Sequence, residues 1–192
     1  MKSILYHSYN PNSLSEDSSD ELYCFLDTIK YEVGNKILLL GNIGNLGNRL
    51  RMLGVYVTII EDSNYGDICH SLIKNTNCSV IKGRLELLPF EEEYFDKVII
   101  LDEFNNINNC KTATKEIQRV LKSDGEVIIE DLNLKNIKVK MKKLKCKMFG
   151  EKNNYHYPEE VMDLFLEVGF SGKVKEIENE RYIYIGKKNT AV

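Results

Sequence analysis

The sequence predicts an α/β fold in which a mostly parallel sheet carries helices on both faces. Three observations lead there. Residues 37–40 and 98–101 are continuous apolar runs without alternation, the pattern of strands buried on both sides. Between such runs, apolar residues recur at helical spacing, as in Leu46, Leu50 and Leu53, or Ala113, Ile117, Val120 and Leu121. Residues 36–63 read as buried strand, glycine-punctuated turn, short helix, second strand and an acid, with Glu61 lying 20 residues after Gly41.

Taken in order, residues 8–19 are polar and Ser/Asn-rich, and residues 1–17 are expected to be a flexible N-terminal segment. Ser18 with Glu21 forms a capping box that predicts a helix through about Val33, stopped at Gly34–Asn35. The strand at 37–40 follows, then a short helix ending at Gly54 and a β-branched strand at 55–60. Ile68, Leu72 and Ile73 mark another helix, with strands at 79–82 and 97–101 after it. The stripe from Ala113 to Leu121 predicts a helix closed by a turn at Asp124–Gly125, before a strand at 126–130.

Residues 135–147 contain seven lysines, and two periods compete in this segment. Ile137, Met141, Leu144 and Met148 recur as on a helix, whereas 137–142 alternate as in a strand. A solvated face is the plain expectation for such a run. Attraction of an acidic substrate or an anionic surface is the functional one. Pro158, Glu159 and Glu160 suit the first turn of a helix whose buried face is Val161, Leu164, Phe165 and Val168, ending at Gly169. Strands at 173–178 and 181–187 close the chain as a hairpin around Asn179–Glu180. With no linker and no internal repeat, residues 1–192 are expected to form one domain.

Composition narrows the function. The chain has 192 residues, 43% hydrophobic and 29% charged, and a net charge of −3, so no overall field points to a nucleic-acid partner. Its apolar runs are too short to span a bilayer, and the N-terminus shows no signal-peptide pattern. Five scattered cysteines without a Cys-x-x-Cys pair read as reduced thiols in the cytoplasm, and Cys69–His70 is not spaced as a metal site.

Several stretches resemble the class I S-adenosylmethionine-dependent methyltransferases, particularly the small-molecule type. They are 54–63 (second strand and ribose-binding acid), 83–90 (after strand three) and 95–107 (strand four and its active-site turn). The others are 116–129 (the next helix and strand five), then 157–160 and 167–170 (the last helix). The resemblance covers roughly residues 20–187. It implies a Rossmann-like methyltransferase fold with a seven-stranded sheet in the order 3-2-1-4-5-7-6, strand seven antiparallel.

The resemblance also implies a site. Gly41, Asn42, Gly44, Glu61, Asp62, Arg84, Leu85 and Leu101 fall at cofactor-binding positions, and Asp102 and His156 at the methyl-transfer pocket. Asn105 and Asn106 lie in the same turn, where a polar loop with a helix cap at Asn108 or Asn109 is the plain alternative. Two departures stand out. Leu39 replaces the acid that would hold the cofactor ammonium, and Arg84, with donors only, replaces the acid that would accept from adenine. Three readings therefore stay open: a methyltransferase using S-adenosylmethionine on an unidentified small molecule, a non-catalytic relative that keeps the fold as a binding or regulatory module, or nicotinamide-dependent oxidation, against which the absence of a Gly-x-Gly-x-x-Gly run counts. No metal is expected, and the oligomeric state is not legible.

Overall fold

The computed structural model describes residues 29–41, 43, 46–61, 78–148, 154–177 and 180–190. The expected helix body at 18–28, the helix near Ile68–Ile73, and Asn42, Gly44 and Asp62 lie outside the described residues. Seven strands form one sheet: β1 (Lys36–Gly41), β2 (Tyr56–Glu61), β3 (Ser79–Lys82), β4 (Phe95–Leu101), β5 (Leu121–Leu132), β6 (Phe170–Ile177) and β7 (Arg181–Lys188). Their order is β3-β2-β1-β4-β5-β7-β6. The first five run parallel, and β7 is antiparallel to both of its neighbours, as expected.

Helices among the described residues are α1 (Leu46–Met52), α2 (Cys110–Val120), α3 (Ile137–Met148) and α4 (Pro158–Leu166), with a 3-10 turn at Phe104–Asn106. Side-chain alternation along each strand divides the core into two layers. Leu38, Leu40, Val98, Ile100, Val127 and Ile129 face α2 and α4, whose Ala113, Ile117, Val161 and Phe165 cover them. Ile37, Leu39, Ile59, Ile99 and Ile128 face the opposite side, where Leu46 and Leu50 of α1 pack. Each central strand is buried on both faces, which is why its sequence shows no alternation.

Four local expectations change. Residues 29–32 are not helical: the Asn35 carboxamide accepts from the Glu32 N–H, and Gly34, at φ +89°, donates to the Gly54 carbonyl and turns the chain into β1. Leu121 belongs to β5 rather than to the preceding helix. The expected turn at Asp124–Gly125 is an irregular stretch inside that strand, where Asp124 takes a φ of +64° and the register with β4 shifts. The lysine-rich segment settles as the helix α3. Its stripe of Ile137, Met141, Leu144 and Met148 faces outward, however, and Val139 is the residue it buries.

The loop between β3 and β4 is tied to α2. Arg119 donates to the carbonyls of Phe90 (2.7 Å) and Leu88 (3.0 Å) and to the Glu116 carboxylate (2.8 Å). Glu116 in turn accepts from the Leu88 N–H at 2.9 Å. The hydrogen bonds from Arg119 hold Glu116 below the usual carboxylate range. Arg119→Met should lower stability by about 2–3 kcal/mol, because two carbonyls and a carboxylate lose their donors together. Urea unfolding would read this as a lower midpoint at constant slope. An unchanged midpoint would show that the loop is held by other means.

Candidate functional site

The site begins where the connections diverge. β1 leads through α1 on one face to β2, and β4 leads through α2 on the other face to β5, so a crevice opens above the carboxyl ends of β1 and β4. Gly41 closes β1 there, opposite Leu101 of β4, with φ +92°. A Cβ at this position would overlap the Leu101 carbonyl oxygen, so the fold itself requires glycine. Glu61 ends the neighbouring strand, and its backbone carbonyl accepts from the Gly83 N–H at 3.1 Å. Gly41, Glu61, Leu101 and Asp102 therefore share one edge of the sheet.

The other assigned positions are distributed around this edge. Leu85 and Leu101 are buried in opposite layers of the core. Arg84 is half exposed and reaches Glu86 at 3.4 Å. Leu39, where the cofactor's ammonium would need an acid, is fully buried, with its side chain packed against α1 at Gly47. A separate groove of about 500 Å³, lined by Lys36, Tyr56, Ser79 and Tyr94, opens at the amino ends of the strands, away from the crevice. The chemistry of ligand binding in such sheets belongs to the carboxyl ends, and the groove is not part of the site.

Beyond β4, Asp102 adopts φ +57°, a left-handed conformation that aspartate tolerates better than most residues. Its N–H donates to the Glu130 carbonyl, and its carboxylate accepts from Arg181 at 2.6 Å. Arg181 also donates to the Glu130 carboxylate at 2.6 Å. One guanidinium thus joins two acids from β7 across β5 to the end of β4. The Asp102 carboxylate is thus ion-paired with Arg181 and held in place by it.

A second cluster lies on the α2–α4 side. Asp131, nearly fully buried, accepts from the Asn105 N–H at 3.0 Å, from the Asn105 carboxamide and from the Leu132 N–H at 2.7 Å. The Asn105 carboxamide oxygen accepts from the His156 N–H at 3.1 Å, and the Asn105 carbonyl from the Asn154 N–H at 2.7 Å. Asn105 therefore fastens the segment before α4 to the turn after β4. The His156 Nε2 lies 3.4 Å from the Cys110 Sγ, and its Nδ1 lies 3.7 Å from the Glu160 carboxylate. Burial pushes the His156 pKa down, against the pull of Glu160, so the ring is neutral near pH 7. Burial also raises the Cys110 thiol to about 11, which leaves it protonated and unreactive. Asn109, not Asn108, caps α2, accepting from the Thr112 N–H at 3.1 Å. Asp102 and His156 have separate partners and do not form one catalytic pair.

A family profile described as "Methyltransferase domain" matches residues 69–182, more than half of the chain. The chain belongs to the methyltransferase domain family. The chain's fold is close to that of the PH0226 protein from Pyrococcus horikoshii OT3, with a TM-score of 0.77, 21% identity, and 96% and 97% of the two chains covered. It also matches a Haemonchus contortus phosphoethanolamine N-methyltransferase 2 solved with S-adenosyl-L-methionine, with a TM-score of 0.71, 12% identity, and 90% and 53% covered. Likeness at these identities describes architecture alone: the class I methyltransferase fold. Among curated sequences, a ubiquinone/menaquinone biosynthesis C-methyltransferase UbiE from Wigglesworthia glossinidia brevipalpis is 32% identical over 103 residues, 49% of this chain and 41% of that protein. The chain spans between about a fifth and under half of the length of the curated relatives it matches.

Arg181, Glu130 and Asp131 join the polar clusters at this edge of the sheet although the sequence reading passed over them. The available signal was the pair Glu130–Asp131, two acids directly after an apolar strand run. Burial pushes the Asp131 carboxyl up to about 6, against the N–H groups of Asn105 and Leu132 that favour its ionised form. The folded state therefore holds this proton more tightly than the unfolded chain does. The stabilisation from Asp131 is complete below the ordinary carboxyl range and is lost as pH rises through about 6. Relative to Asp131→Asn, wild-type stability should fall by about 3 kcal/mol between acid and neutral pH, measured by urea unfolding across that range. A gap that does not vary with pH would place this carboxyl in an ordinary environment.

Proposed function

We propose that this chain is an S-adenosylmethionine-dependent methyltransferase acting on a small molecule in the cytoplasm. The observation that carries the reading is the placement of Gly41 and Glu61 side by side at the carboxyl edge of the sheet, where the connections diverge. Bare backbone at Gly41 admits close approach of a ligand, and the Glu61 carboxylate is an acceptor suited to ribose hydroxyls. Asn42, Gly44 and Asp62 fall at cofactor positions by sequence alone, Leu85 and Leu101 are buried beneath this edge, and Arg84 lies at the surface beside it. The residues fit an adenosyl group, and they lack an acid for its ammonium. When bound, the cofactor supplies an electrophilic methyl group on a sulfonium.

In-line transfer of such a group depends chiefly on orientation and exclusion of water. His156, neutral and held through its backbone by Asn105, is the group suited to take a proton from the acceptor. Asp102, fixed by Arg181, sets the polarity and shape of the turn after β4. The second reading is a methyltransferase-like binding protein without activity. Leu39, sealed in the core where an anchoring acid would stand, is the observation that favours it.

Calorimetry with S-adenosylhomocysteine separates the two. Saturable heat supports the enzyme, and silence at millimolar ligand favours the binding protein. Glu61→Ala should weaken that affinity about tenfold, the loss of a hydrogen bond to a charged acceptor. Unchanged affinity would remove Glu61 from the site.

A further inference from the structure

Helix α3 is held to the body by one side and leaves a different surface to solvent. Val139 is buried with Leu134 and Tyr155, and Lys143 Nζ donates to the Tyr155 carbonyl at 3.1 Å. On the far side, Ile137, Met141, Leu144 and Met148 are 68%, 56%, 60% and 76% exposed. At 3.6 residues per turn these four align along the helix axis, pointing away from Val139. Lys145 lies about a quarter turn to one side of that row, beside Lys138, which is ion-paired with Glu180 at 2.9 Å, and Lys140 and Lys147 lie about a quarter turn to the other. From residue 132 to residue 150 there are seven lysines and no acid, in a chain whose net charge is −3.

We propose that α3 docks in the plane of an anionic lipid surface. The apolar row enters between the headgroups, and the lysines on either flank lie at headgroup level, where their long stems cover apolar surface and their ammonium groups meet lipid phosphates. Charge complementarity selects an anionic surface, and the outward apolar row selects a lipid one. A nucleic acid would engage the lysines and leave four large apolar side chains in water. The helix is too short to span a bilayer, so the contact is peripheral and reversible. The inference is independent of cofactor binding.

The chain contains no tryptophan, so Leu144→Trp supplies a single emission reporter at the centre of the row. With vesicles of equal parts phosphatidylcholine and phosphatidylglycerol, its emission should shift to the blue. Pure phosphatidylcholine should leave it unchanged, and raised salt should reverse the shift. In co-sedimentation with the same anionic vesicles, the Met141→Ser, Leu144→Ser double variant should bind about tenfold more weakly than wild type. Its unfolding midpoint should match that of wild type. The proposal is overturned if wild type fails to sediment, or if the double variant sediments equally, as binding through charge alone would require. It also fails if the Leu144→Trp emission is already blue-shifted without lipid, or if the double variant unfolds earlier. Either result would mean that another part of the chain or a second copy covers the row.

Discussion

At the end of β1 the Leu101 carbonyl occupies the space where any residue but glycine would carry its Cβ. That close approach holds β1 against β4 at the point where one connection leaves over one face of the sheet and the next over the other. The crevice between these connections follows from that divergence. Glu61 reaches the same edge because β2 pairs with β1 in register from Lys36–Tyr56 to Leu40–Ile60. The glycine is demanded by packing alone and would be needed in a protein that bound nothing.

Around that edge the polar groups are arranged in two sets on opposite faces of the sheet. On one side Arg181 gathers Asp102 and Glu130, and on the other Asp131 gathers Asn105, which in turn holds the backbone at His156 and Asn154. Buried polar groups of this kind specify geometry as much as they stabilise, because an unpaired one is costly. Between them they fix the turn after β4 from both sides. Tyr182 pairs with Asp131 in the strand register but stands outside this set, since its buried hydroxyl has no hydrogen-bond partner among the described residues, and burial raises its pKa. The turn after β4 is therefore tied down from both faces of the sheet.

The departures from the family pattern take on physical content in the structure. Leu39 is part of the packing between β1 and α1, and an acid there would be a buried charge without a partner. Arg84 lies at the surface with Glu86 within reach, on a loop whose position Arg119 and Glu116 secure from α2. The substituted anchor is thus built into the core, whereas the substituted adenine contact stays at the rim, where it is free to differ without disturbing the fold.

The alternation of strands and helices, the two-layered core and the spacing of Gly41 and Glu61 were legible in the residues themselves, whereas the strand order followed from the resemblance to the methyltransferases. Continuous apolar runs, helical repeats and glycine spacing are local signals, and burial on both faces leaves a strand only one way to read. The helix start at Pro158 and the cap before α2 were legible for the same reason, since backbone groups at a helix end are satisfied by neighbours a few residues away. Tertiary structure alone decided what depends on partners distant in the chain. Arg181 meets Asp102 from 79 residues away and His156 meets Asn105 from 51, distances over which no periodicity carries information. It also decided which side of α3 faces the body: periodicity reports that an apolar row exists, and only the packing of Val139 against Leu134 and Tyr155 turns that row outward.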